Sequence, residues 1–158
     1  MKKSFSTTKF SFGGTSGIIN NMAIITGLNT LSNAKISIIG SLLVVALADN
    51  ISDTLGIHIY QESEGLTKKE VWITSLTNFF SRFLVCLGFI FIVYFLPIKL
   101  SVSVSIIYGL LVLSIISYLI SRRKKVNPWM AITEHIFIAI IVISLSQYFR
   151  SSILNLFK

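Results

Sequence analysis

The sequence predicts an all-α integral membrane protein of five transmembrane helices, forming a single membrane domain over residues 1–158. Three observations predict it. The chain is 53% hydrophobic and only 13% charged, where ordinary globular domains carry roughly 25% charged residues. Its mean hydropathy is +0.79. Its apolar residues gather in runs near the length of about 20 that a helix needs to cross a bilayer. Such a balance excludes a soluble enzyme domain and a disordered tail.

The expected spans are residues 13–31, 36–60, 76–96, 101–120 and 130–149. The first is the least apolar, rich in Gly, Ser, Thr and Asn around the stretch from Ile18 to Leu28. The second is long and interrupted by Asp49, Asn50, Ser52, Asp53 and His58. The last three are dense runs of Ile, Leu, Val and Phe. Short connections join them, the longest expected from Gln61 to Thr74, and Pro97 marks a turn because proline cannot continue a helix. Met1-Lys2-Lys3 has the look of a secretory n-region, but polar residues follow it and the apolar run starts late. The first span is therefore expected to be retained.

Basic residues set the orientation. With five spans, Lys2, Lys3, Lys9, Lys68, Lys69, Arg122, Arg123, Lys124 and Lys125 fall on one side. Lys35, Lys99, Arg150 and Lys158 fall on the other. The excess places the N-terminus in the cytoplasm and the C-terminus outside or in a lumen. The formal net charge of +8 is then a topology signal, and no nucleic-acid partner is expected. The lipid bilayer is the expected surroundings. Cys86 is the single cysteine, so an intramolecular disulfide and a cysteine-rich metal site are excluded.

Acidic residues carry the functional signal. Four of the six lie between Asp49 and Glu64. Asp49 stands about 20 Å along the second span from Ile36 at 1.5 Å per residue, near mid-bilayer. Asp53 follows one turn later on the same face, and Asn50 widens the polar stripe. An Asp at the centre of a membrane helix costs roughly 2.5–3.5 kcal/mol on insertion scales. Two on one face call for a cation, a proton or a water-filled cavity. Their oxygens suit a hard or borderline divalent cation. The competing reading is helix packing, with Asp and Asn bonding across helices.

Further along, His58 and Glu62 are one turn apart, a workable ligand spacing, and Glu64 follows at the same helix end. A solvated helix end is the plain alternative for all three. Gly13, Gly14 and Gly17 read as a close-packing pattern, and Met22 as core filler or a soft ligand. Arg82 is expected to snorkel to the cytoplasmic surface, with an ion pair to an acidic residue of the second span as the alternative. Glu134 and His135 lie just inside the last span, after the boundary markers Pro128 and Trp129. No nucleophile elbow, phosphate loop or zinc-protease motif occurs, so the chain is not expected to be an enzyme and no cofactor is expected.

The stretches Gly13-Gly14-Thr15-Ser16-Gly17-Ile18-Ile19, Ala46 to His58, Gln61-Glu62-Ser63-Glu64 and Asn127-Pro128-Trp129-Met130-Ala131 resemble the vacuolar iron transporter family. The resemblance covers nearly the whole chain and fits a short, divergent, prokaryotic-type branch. It implies a five-helix homodimer that moves ferrous iron or manganese out of the cytosol by proton exchange. It also implies a plasma (inner) membrane location in a prokaryote. The metal set expected from the residues themselves is Asp49 and Asp53, completed by Asn50 and Ser16, with His58, Glu62 and Glu64 drawing the cation to the cytoplasmic mouth. Ser16 stands where the family has an Asp, and Asp49-Asn50 and Asp53-Thr54 stand where it has Ser-Met and Gly-Glu. The segment from Gln61 to Thr74 leaves no room for the Glu-rich cytoplasmic domain of the larger members.

Overall fold

A computed structural model describes the backbone of residues 5–156 and the side chains of residues 14–156. Met1-Lys2-Lys3, the Lys9 side chain, the surroundings of Gly13, and Lys158 lie outside what it describes. The chain folds into five helical rods: α1 (Phe5–Leu28), α2 (Ala34–Ser63), α3 (Lys68–Phe95), α4 (Ile98–Lys124) and α5 (Pro128–Leu156). No strand occurs among the described residues.

The connections are shorter than the composition alone conveys. Only residues 64–67 separate α2 from α3, because both helices run beyond the expected spans 36–60 and 76–96. The early start of α3 has a local cause. Thr67 caps it, accepting from the Glu70 backbone N–H while the Glu70 carboxylate accepts from the Thr67 N–H. This reciprocal pair satisfies two of the donors that a helix start leaves orphaned. At the other end Pro97 forces Leu96 into an extended conformation, ψ 152°, as the residue before a proline must be. The chain then turns directly into α4. Lys125 closes α4 in the left-handed region at φ 56°, a common helix stop.

Short connections make successive helices antiparallel neighbours. Two contacts mark one end of the bundle. Lys35 Nζ donates to Leu96 O at 3.3 Å. Arg150 Nη1 reaches Thr26 O at 3.0 Å and Asn29 Oδ1 at 2.6 Å. The opposite end holds the Ser63–Lys68 and Lys124–Pro128 turns.

α1 is the core of the bundle and touches all four other helices. Ile18, Met22 and Ile25 are buried completely or nearly so against Ile38, Leu42, Phe89, Val93 and Leu113. This explains how the least apolar span is tolerated: its neighbours are helices. Its polar residues are satisfied within the helix, as Thr26 is in donating to Met22 O at 2.8 Å, or by neighbouring helices, as Ser16 is by Arg82. α4 packs through a row at four-residue spacing: Ser101, Ser105, Gly109, Leu113, Ser117 and Ser121 are all buried. Small residues at that spacing let helix backbones approach closely. A Cβ at Gly109 would stand 2.4 Å from Met22 Sδ, so Met22 fills the groove that Gly109 leaves.

The outer surface is apolar. Ile36, Val44, Phe95, Trp129, Met130 and Leu156 are each at least 64% exposed. An apolar coat of that extent belongs against lipid. α2, α3, α4 and α5 are each long and apolar enough to cross a membrane. The described residues are helical throughout apart from their short connections, and these four helices have the length and composition of those in an integral membrane protein.

Candidate functional site

Two charges meet near the middle of the bundle. Asp49 lies about 22 Å along α2 from Ala34, and Arg82 about 21 Å along α3 from Lys68, at 1.5 Å per residue. Both helices are about 40–45 Å long by the same rise. Arg82 is therefore near the centre of its helix and does not snorkel to an end. The expectation of snorkelling fails because the guanidinium is buried and paired with Asp49 and Asp53 of α2, the ion pair that stood as its alternative.

Arg82 is only 4% exposed. Its stem lies against the backbone of Gly17 on α1, where an added Cβ would meet Arg82 Cγ at 3.6 Å. Its Nη2 pairs with Asp49 Oδ2. Its Nη1 donates to Asp53 Oδ2 at 2.9 Å and to Ser16 Oγ. One guanidinium thus ties α1, α2 and α3 together. Amides complete the shell. Asn20 Nδ2 approaches Asp49 Oδ2 at 3.5 Å, and Asn78 Nδ2 donates to Asp53 Oδ2 at 3.3 Å and Thr54 Oγ1 at 3.2 Å. The guanidinium is buried, but the carboxylates are not: the Asp49 side chain is 44% exposed and that of Asp53 31%. With both acids ionised the cluster carries one surplus negative charge.

α2 changes its winding at this point. Val45–Asp49 forms a π-helical turn, a feature frequent at functional sites. The Asn50 backbone N–H bonds back to Val45 O. The freed Ala46 O accepts instead from Asn50 Nδ2 at 3.3 Å, and the same amide donates to Phe79 O on α3 at 2.9 Å. Asn50 is therefore buried, at 1% exposure, and turned away from the Asp49–Asp53 stripe that sequence spacing assigns it to. Its Oδ1 has no hydrogen-bond partner. A cavity of about 10 Å³ lies beside it, lined by Gly17, Asn21, Asn50, Arg82 and Cys86.

The seam between α2 and α3 differs on the two sides of Arg82. Toward the Ser63–Lys68 turn it is polar. Past Asn78, Ser75 Oγ stands 3.0 Å from His58 Nδ1, and His58 Nε2 stands 3.5 Å from Glu62 Oε1. Ser75 Oγ donates its own proton to Val71 O at 2.9 Å, so it accepts from His58 Nδ1–H. Trp72 closes on the His58 ring edge-on at a centroid distance of 4.9 Å. Toward the other end the seam is filled by Ile38, Leu42, Phe89 and Val93, all fully buried.

Of the residues read from sequence, Asp49, Asp53 and Ser16 are brought together, with Arg82 as their common partner. Asn50 lines the adjoining cavity. His58 and Glu62 form a separate pair nearer the helix end, and Glu64 is exposed beyond it. Glu134 is exposed, while His135 Nδ1 lies 2.7 Å from the buried Ser117 Oγ. Among the described residues no group of three or more His, Cys, Asp and Glu could hold a metal ion. Sequence reading missed Asn20 and Asn78 as carboxylate partners. Asn78 sits one turn before Arg82, on the same face of α3, and that spacing was the available signal.

The chain matches no family model, no curated protein and no solved structure.

Proposed function

We propose that the protein is a five-crossing membrane carrier that moves a divalent cation, manganese or ferrous iron, out of the cytosol in exchange for protons. One observation carries this reading: two half-exposed carboxylates, Asp49 and Asp53, stand mid-bundle beside a buried Arg82. Ionisable groups at that depth are expensive and mark ion pathways. Asn78, Ser75 and His58 line the seam from Asp53 toward the Ser63–Lys68 end with polar side chains, and on this reading a cation or proton enters from that end. The apolar half of the same seam blocks the other end, the asymmetry that an alternating-access carrier needs in one of its states. In the orientation set by the basic residues, the open end faces the cytosol.

The donors within reach are carboxylate, hydroxyl and amide oxygens, which suit manganese better than iron. His58, the side chain that would favour iron, is engaged with Ser75 and Glu62. Asn20 and Asp49 leave polar surface exposed at mid-bundle depth. A second copy of the chain would shield it from lipid, in keeping with the homodimer that the family resemblance implies.

A static clamp is the second reading. The burial of Arg82 and its bonds to three helices favour it. Uptake into proteoliposomes separates the two, followed with a metal-quenched dye with and without a pH gradient. Asp49→Asn and Asp53→Asn each leave Arg82 one carboxylate, and the folding of each is checked by its elution profile in detergent. A carrier loses gradient-driven manganese uptake in both variants. Uptake that survives in both, or is absent from folded wild-type protein, leaves the clamp.

A further inference from the structure

We propose that Arg82 is a tethered cation that competes with the transported one for Asp49 and Asp53, and that Asn50 Oδ1 receives its guanidinium when cargo binds. The inference rests on the carrier reading and adds how its site is held closed.

Charge arithmetic makes the two cations alternatives. With Arg82 in place and both acids ionised, the cluster carries −1. A proton or a monovalent ion brings it to zero. A divalent ion added beside Arg82 leaves +1 in a low-dielectric surround, where an unmatched charge is costly. Moving Arg82 aside does not change that total, but it lets the two carboxylates and the divalent ion sum to zero and sets the guanidinium against the Asn50 amide oxygen instead of against the metal. The resting site therefore accepts a proton without rearrangement, whereas a divalent cation and the guanidinium repel each other at the same carboxylate oxygens.

The structure also holds a destination for that guanidinium. Asn50 Oδ1 is a buried acceptor without a partner, and such an atom carries its desolvation cost uncompensated. It lines the same small cavity as Arg82. The π-helical turn before it and the bonds of its Nδ2 to Ala46 O and Phe79 O hold the side chain there. Gly17 offers the Arg82 stem a surface without a side chain. The cavity admits about one water molecule, so the move requires the guanidinium to swing as its carboxylates are taken by cargo.

Manganese binding to the purified full chain in detergent, read from the EPR signal of free Mn²⁺, tests this without transport. Arg82→Gln is expected to bind manganese at least tenfold more tightly than wild type. Arg82→Lys is expected to lie between them, because an ammonium cannot bridge both carboxylates. Asn50→Leu should weaken wild-type binding severalfold and have no effect in the Arg82→Gln background. Equal affinity of wild type, Arg82→Gln and Arg82→Lys overturns the competition and leaves the carrier reading standing. An Asn50→Leu effect that persists without Arg82 makes Asn50 a cation ligand and overturns its role as acceptor. Should Arg82→Gln elute as aggregate, the Arg82→Lys affinity decides the competition, and Asn50→Leu in that background decides the acceptor. Failure of every folded form to bind manganese brings down the carrier reading and this inference together.

Discussion

Arg82 donates to Asp53 across 2.9 Å and so brings a positive charge to the centre of a bundle whose outer surface is apolar. The bond spans α2 and α3, and the same guanidinium reaches Ser16 on α1. Because the carboxylates are partly exposed, losing one of them costs less than the roughly 3–5 kcal/mol of breaking a fully buried pair. The cluster is thus both a fastening between three helices and a store of unbalanced charge, and those two properties set what can be tested.

The placement of the helix ends predicts a labelling pattern. In a Cys86→Ser background, Ser32→Cys and Ser63→Cys lie at opposite ends of α2. A membrane-impermeant maleimide applied to oriented vesicles should label them from opposite sides. Ser63→Cys and Val126→Cys should label from the same side. Labelling of Ser32→Cys and Ser63→Cys from one side contradicts the crossing of α2.

Thr67 fixes where α3 begins, through the reciprocal bonds with Glu70. Thr67→Ala should destabilise the protein by about 1 kcal/mol, the usual cost of a lost cap. Amide exchange should rise at the first turn of α3 and stay unchanged at Arg82. An unchanged exchange rate at that turn would sink the assignment.

Gly109 is required by packing. An added methyl would meet Met22 Sδ at 2.4 Å and Phe89 Cζ at 3.2 Å, and both residues are buried. Gly109→Ala should cost about 1–3 kcal/mol through overpacking, measured as a fall in the unfolding midpoint in micelles. In a Met22→Ala background the same change should be close to neutral. An equal loss in both backgrounds would show that Met22 is not the obstacle.

The sequence made the bundle readable and its centre only partly so. Run length and hydropathy delivered five helices, because long apolar runs such as Phe80 to Leu96 have few other solutions. The helix α3 starts some two turns before the expected span of 76–96: Lys68, Lys69 and Glu70 read as part of a connection, although Thr67-x-x-Glu70 has the spacing of a capping box. The pairing of Arg82 stood only as the alternative to snorkelling. The Asp49–Asp53 pairing on one face followed from helical spacing alone. Asn50 did not, because nothing local announces the π-helical turn at Val45–Asp49 that accompanies its inward turn. Asn20 and Asn78 were hidden for another reason: an amide in an apolar run acquires a role only when a neighbouring helix supplies its partner.

The measurement that bears most directly on the account is a double-mutant cycle between Arg82 and Asp53. Unfolding free energies in mixed micelles would be compared for wild type, Arg82→Met, Asp53→Asn and the double variant. Residues sharing a charge network couple by about 0.5–3 kcal/mol, and the account predicts a value in the upper half of that range. Additive losses, with no coupling beyond about 0.5 kcal/mol, would contradict the ion pair on which the site, its proposed cargo and the role of Arg82 all depend.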